Sequence, residues 1–192
     1  MEKPILFNTE MVRAILDGRK TSTRRIIKPQ PPKFVDWLER KVDGFKAYMT
    51  PGEPCDYPLV KLSYQPGDIL WVRETWMPET EQGICTGGYI YKASDNPEAD
   101  GDCPLKWRPS IHMPRKVARI FLKVTNVRVE RLQEITEEDA IREGCIALKD
   151  KNEITSISAK ERFHALWDGI YLKQGYGWDA NPWVWVYEFE RI

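Results

Sequence analysis

Two histidines are all that the 192 residues contain, and the four cysteines, at 55, 85, 103 and 145, show no CxxC spacing. Structural zinc centres are built from closely spaced Cys and His ligands, so this set predicts no metal site, and the cysteines read as scattered reduced thiols. Long apolar runs are missing as well. Nothing approaches the roughly 20 consecutive apolar residues of a membrane-spanning helix, and the N-terminus does not read as a signal peptide. The expectation is a soluble, cytoplasmic protein with no membrane partner. Net charge is also absent, because 29 acidic residues balance 29 basic ones. That excludes a whole-molecule field for polyanions, so any nucleic-acid contact must come from a local basic patch. No internal repeat and no low-complexity segment is found.

What is present suffices for one core, with eight Trp and eight Tyr. The chain reads as a single domain over 1–192 with two insertions, about 29–65 and 77–115. PILFN at 4–8 is a strand, and Thr9 is the expected N-cap of a helix to about Asp17. That helix is apolar at Met11, Val12, Ile15 and Leu16 and stops at Gly18. From Thr21 the pattern is extended, through Ile26 and Ile27 to Pro29. The first insertion is rich in proline and charge, with one or two helical turns expected around Phe34, Trp37 and Leu38. QPGD at 65–68 is a turn.

DILWVRETW reads as one strand, with Leu70, Val72, Glu74 and Trp76 on one face and Ile69, Trp71, Arg73 and Thr75 on the other. A strand is expected over 88–92, then an ordered irregular loop around SIHM, which prolines bracket. VARIFLKVTNVRVERL alternates as one long or two short strands. TEEDAIREG opens at Thr136 and stops at Gly144. Ser158 and Glu161 form a capping box for a helix with Phe163, Leu166 and Trp167 inward. PWVWVYEFERI closes the set as a strand. Short strands between short helices give an α+β fold, with a small closed β-barrel whose openings the helices cover.

GRKTSTRR, at 18–25, carries the chemistry. Strict alternation puts Lys20, Ser22 and Arg24 on one face and Thr21, Thr23 and Arg25 on the other, unless the turn after Gly18 breaks the register and lets Lys20 and Thr23 converge. A desolvated Lys that gives up its proton activates a neighbouring hydroxyl. The same groups equally suit phosphate or nucleobase binding, or a plain solvated basic turn. In the TEEDAIREG helix Glu143 shares a face with Ala140, either half-buried and in need of a cation or exposed. Glu74 is a second candidate carboxylate, or a surface partner of a nearby Arg. Most Trp residues belong in the core. Trp107, beside Arg108 in a polar loop, is the best candidate for stacking on a base. His112 alone is a weak acid/base signal.

GRKTSTRR resembles the ASCH-domain signature G-x-K-x-x-[ET]-x-R, with Gly18, Lys20, Thr23 and Arg25 in register. PGDILWV, ITEEDAIREG and WVWVYEFE are similar to the later family segments, in the right order. The resemblance implies a PUA-like β-barrel. The signature is similar to that of a compact bacterial branch, amidohydrolases that deacetylate N4-acetylcytidine with a Lys, a Thr and a Glu. Carried over, these are Lys20, Thr23 and Glu143, with no metal and no cofactor. The two insertions are absent from that branch and resemble longer members encoded by bacteriophages and prophages.

The resulting expectation is an amidohydrolase on an N-acylated pyrimidine nucleoside or base. Its catalytic residues are Lys20, Thr23 and Glu143, and its substrate contacts are Arg24, Arg25, Glu74 and Trp107. In this reading Arg25 orients Glu143 or binds substrate. The alternatives are a non-catalytic RNA- or modified-nucleotide-binding module, or an ASCH-type ribonuclease, which would need a metal-binding carboxylate cluster that the sequence does not offer.

Overall fold

In the computed structural model the described residues are 1–32, 35, 37–41, 44–50, 53–54, 60–81, 84–94, 106–149 and 156–192. The strands before the QPGD turn are β1 (Glu2–Leu6), β2 (Ser22–Ile26), β3 (Trp37–Lys41), β4 (Gly44–Thr50), β5 (Glu53–Pro54) and β6 (Val60–Lys61). They are followed by β7 (Ile69–Arg73), β8 (Trp76–Glu81), β9 (Ile84–Tyr91), β10 (Phe121–Arg131), β11 (Leu148–Lys149), β12 (Ser156–Ile157) and β13 (Trp183–Arg191). The helices are α1 (Thr9–Leu16), α2 (Glu137–Arg142) and α3 (Ala159–Tyr171).

Local chemistry sets the helix limits. Asn8, not Thr9, caps α1, its Oδ1 accepting from the Met11 N–H at 2.8 Å. The cap moves one residue earlier because an Asx side chain there meets the orphan N–H of the first turn. Gly18 follows at φ +73°, the left-handed stop expected of it. Thr136 caps α2 through the Asp139 N–H, and Ser158 and Glu161 form the reciprocal capping box of α3. Phe163 and Trp167 are buried and Leu166 half-buried, as the helical spacing predicts. The QPGD turn is closed by Asp68, whose N–H bonds the Gln65 carbonyl at 3.0 Å and whose carboxylate accepts from the Gln65 N–H at 2.9 Å.

The fold is mixed α+β. Its main sheet has five strands in the order β1-β7-β10-β13-β2, with β1 and β7 parallel and the other neighbours antiparallel. The expected barrel does not close: β1 and β2 are edges, and among the described residues no ladder joins them. The backbone entering β2 is engaged elsewhere, Lys20 N–H on the Ala14 carbonyl and Thr21 N–H on the Arg142 carbonyl. Side chains span the gap instead. Arg25 Nη2 donates to the Leu6 carbonyl at 2.6 Å. Tyr64 donates to the Pro4 carbonyl at 2.8 Å and sets its ring edge-on to Tyr187, 5.0 Å between centroids.

One sheet face packs with α1 on a core that includes Ile5, Phe7, Val12, Leu70, Val72, Leu122, Trp185 and Tyr187. The other face of β2 and β13 packs Ile26, Val184 and Val186 against Ala140, Phe163 and Trp167 of α2 and α3. Alternation along β13 thus feeds two cores, and Val184 to Tyr187 are all buried.

The segments read as insertions form their own small sheets, β3-β4-β5 with β6 on β4, and the β8–β9 hairpin. Trp37 and Leu38 lie in β3, not in a helical turn, because pairing with β4 overrides their local spacing; Phe34 lies outside the described residues. DILWVRETW is two strands rather than one. Its buried face is as expected, but the ladder stops at Arg73, where the next N–H, that of Glu74, turns to Met113 Sδ at 3.2 Å. The loop around SIHM is ordered as two short 3₁₀ turns, Ser110–His112 and Arg115–Val117. No described helix is long and apolar enough to cross a membrane.

Candidate active site

The end of α1, the start of β2 and the end of α2 meet at Gly144. Its φ of +92° suits glycine, and a Cβ there would stand 2.7 Å from Ala14 Cβ and 3.3 Å from Lys20 Cβ. That close approach lets Lys20 and Glu143 face each other as an antiparallel bridge. Lys20 Nζ donates to Glu143 Oε2 at 2.6 Å and to the Glu143 carbonyl at 2.8 Å. Both side chains are enclosed, at 0% and 4% exposure. Nζ also lies 5.5 Å from the centroid of the Phe7 ring.

Burial pulls the Lys20 ammonium below its ordinary range, and the Glu143 carboxylate only partly offsets this. A charged amine loses hydration on enclosure, and one carboxylate does not replace it. The neighbouring Cys145 thiol is pushed up, first by burial and then by Glu143.

Glu143 has a second cation. Arg24 Nη1 lies 3.2 Å from its Oε1, Nη2 3.1 Å from Asp139 Oδ2, and Nε 2.7 Å from Glu130 Oε1. Arg128 continues the network to Asp139 and Glu130, each at 3.1 Å, and to Glu188. The Arg24 side chain has no exposure at all. It was expected to grip substrate; the structure encloses it among three carboxylates, because Ser22, Arg24 and Ile26 face α2 and α3. Arg24, and not Arg25, also orients Glu143.

Thr23 lies on the opposite face of β2, in register with Tyr187, and is 2% exposed. Arg25 shares that face, half-buried, with its guanidinium 5.2 Å from the Phe7 centroid. Lys20 therefore turns toward the same ring as Arg25. Lys20 Nζ and Arg24 Nη1 meet the same Glu143 carboxylate, as strict alternation places them, while Lys20 also lies beside the Phe7 ring.

Glu74 is buried at 1% exposure, and its partner is Arg119, which meets both carboxylate oxygens at 2.9 and 3.0 Å. Arg119 stacks on Tyr91, 4.1 Å from the centroid. Glu74 has the Arg partner that the sequence allowed, but its carboxylate is buried while Arg119 reaches solvent, because the face of Leu70 and Val72 carries Glu74 into the interior. Trp107 is half-buried, with Lys92 Nζ 6.0 Å from its ring.

A cavity of about 180 Å³ between α1 and α3 has Glu143, Cys145, Arg19 and Arg162 in its walls. Glu143 is the member of the Lys20–Thr23–Glu143 set that lines it. Among the described residues no group of three or more His, Cys, Asp or Glu is arranged to hold a metal. Cys55 and Cys103 lie outside the described residues.

Sequence reasoning missed Glu130, Asp139, Arg128 and Phe7. Two signals were there to read. Asp139 and Glu143 are four apart on one helix and so share a face. Arg128 and Glu130 alternate against Val127 and Val129 on β10. Compared with protein-family models, curated proteins and solved structures, the chain matches none.

Proposed function

We propose that this is an ASCH-type, PUA-like amidohydrolase of the cytoplasm. It acts on an N-acylated pyrimidine nucleoside or base, with Lys20, Thr23 and Glu143 as its working groups. The family's barrel would correspond here to the five-stranded sheet, with Arg25 and Tyr64 bridging its open edge. One observation supports the reading above others: an enclosed lysine with a lowered pKa, hydrogen-bonded to a carboxylate held from behind by Arg24. A lysine kept only for charge gains nothing from that desolvation, whereas a general base needs it.

The steps follow from proton balance. Lys20 passes a proton to Glu143 along their hydrogen bond and becomes a neutral amine. The amine takes the Thr23 hydroxyl proton as Oγ1 attacks the acyl carbon, and the carbonyl electrons move to oxygen. As the tetrahedral species collapses, the C–N bond breaks and the Lys20 ammonium protonates the leaving amine. Water, deprotonated by the same lysine, then attacks the Thr23 ester; the C–Oγ1 bond breaks, the Lys20 ammonium returns its proton to Oγ1, and the carboxylic acid leaves. Arg25, on the Thr23 face, is the group that meets the substrate or its oxyanion. Since Lys20 and Thr23 are enclosed, a substrate enters only by displacing a neighbour. Tyr64, packed on Tyr187, whose ladder partner is Thr23, is the neighbour this reading assigns to give way. The enclosure of Arg24 removes one grip from the RNA-binding alternative.

The test is hydrolysis of N4-acetylcytidine followed by its absorbance change, with Thr23→Val alongside. Turnover by the parent chain and its loss in the variant, with the circular dichroism spectrum preserved, support the proposal. No turnover on any N4-acylated cytidine sinks it.

A further inference from the structure

A second cavity, of about 380 Å³, lies between the β8–β9 hairpin and the segment 108–117. Small-molecule sites begin at about this size. Two of its walls are aromatic: Trp76 and Tyr89 meet edge to face, 5.5 Å apart at 75°. The other walls include Arg108, His112 and Lys116, and no carboxylate among the described residues. None of these three forms an ion pair with a described residue, and all are exposed. Arg108 also places its guanidinium 5.0 Å from the Trp76 centroid, so charge and ring are adjacent.

The cationic wall is fixed in place. Arg73 holds the Ser110 carbonyl at 3.1 Å and also the Ile111 carbonyl. Tyr91 donates to the Val117 carbonyl at 2.7 Å. Gly87 and Gly88 keep the facing wall free of side chains, and a Cβ on Gly88 would strike Glu79 at 2.2 Å. Trp76 is 4% exposed, and its indole N–H has no hydrogen-bond partner among the described residues.

We propose that this cleft binds a planar ring carrying a phosphate, a nucleoside monophosphate in size. The ring lies against Trp76 and Tyr89 and the phosphate on Arg108, His112 and Lys116. Three basic groups and no acid favour a dianion over a single carboxylate. Rigid aromatic walls favour a flat body over a flexible chain. None of Lys20, Thr23 and Glu143 lines the cleft, so the inference does not rest on the proposed hydrolysis.

The experiment is calorimetric titration of the full chain with CMP, cytidine and inorganic phosphate. CMP should bind at least about tenfold tighter than either fragment. Arg108→Ala and Lys116→Ala should each weaken CMP by about tenfold, with unfolding midpoints unchanged because both side chains are exposed. Thr23→Val should bind CMP as the parent does, and the Trp76 indole N–H resonance should shift on saturation. Equal binding of CMP and cytidine, or of CMP and phosphate, overturns the proposal. So does an affinity unmoved by both cation variants, or lost in Thr23→Val.

Discussion

Glu143 and Glu74 are both buried carboxylates facing buried or half-buried cations, yet their surroundings differ in one decisive respect. Glu74 is held by a guanidinium alone, through both oxygens. Arginine does not give up its proton, so this pair is a fixed brace between the end of β7 and the entry to β10. Glu143 divides its oxygens between Arg24 and Lys20. One cation fixes it; the other is a desolvated lysine whose pKa burial lowers. A buried ion pair made with lysine is therefore a candidate for chemistry, where the same pair made with arginine is architecture.

The largest test of that contrast is Lys20→Met, which keeps the apolar stem and removes the amine. Turnover should fall by about 10³-fold or more. Chemical denaturation should move by no more than about 1 kcal/mol, because Arg24 still pairs Glu143. A stability loss with turnover retained would make Lys20 a brace like Arg119. Next comes Gly144→Ala, which acts on the lysine pair and leaves the Glu74 pair alone. Its positive φ and the 2.7 Å approach to Ala14 Cβ predict a cost of about 3 kcal/mol, measured in urea, together with lost activity as Lys20 is pushed away.

On the other side, Glu74→Gln should show mainly as instability, about 2 kcal/mol by the same measurement. It is limited because Arg119 is 28% exposed and recovers some water. The smallest and sharpest test is pH. The folded-state pKa of Lys20 lies below the 10.5 of a free lysine. Between those two values the unfolded chain binds more protons than the folded one, so stability from this group rises with pH across that window. Activity should rise through the same lowered pKa as the amine becomes neutral. A stability profile flat in the alkaline range, unchanged by Lys20→Met, would remove the lysine from this role.

Much of the local structure was legible in the chain. The caps at Thr136 and Ser158, the stop at Gly18 and the QPGD turn depend on residues within four positions of each other. Side-chain chemistry and chain stiffness decide such short loops with little help from elsewhere. The inward face of Leu70, Val72 and Glu74 followed from the period of two. What the chain concealed is long-range by nature. Trp37 and Leu38 have a spacing that fits a helix, and only β4 makes them a strand.

The sequence by itself determined the helices, the turns and the concentration of lysine, arginine and hydroxyl groups just after α1. Those are consequences of neighbours along the chain. The tertiary structure alone decided which carboxylate each cation meets, because Lys20 and Glu143 are 123 positions apart and Glu74 and Arg119 are 45. It also decided that the sheet stays open between β1 and β2, and that Arg108, His112 and Lys116 line one aromatic cleft. Desolvation is a property of enclosure, and enclosure exists only once distant segments have packed.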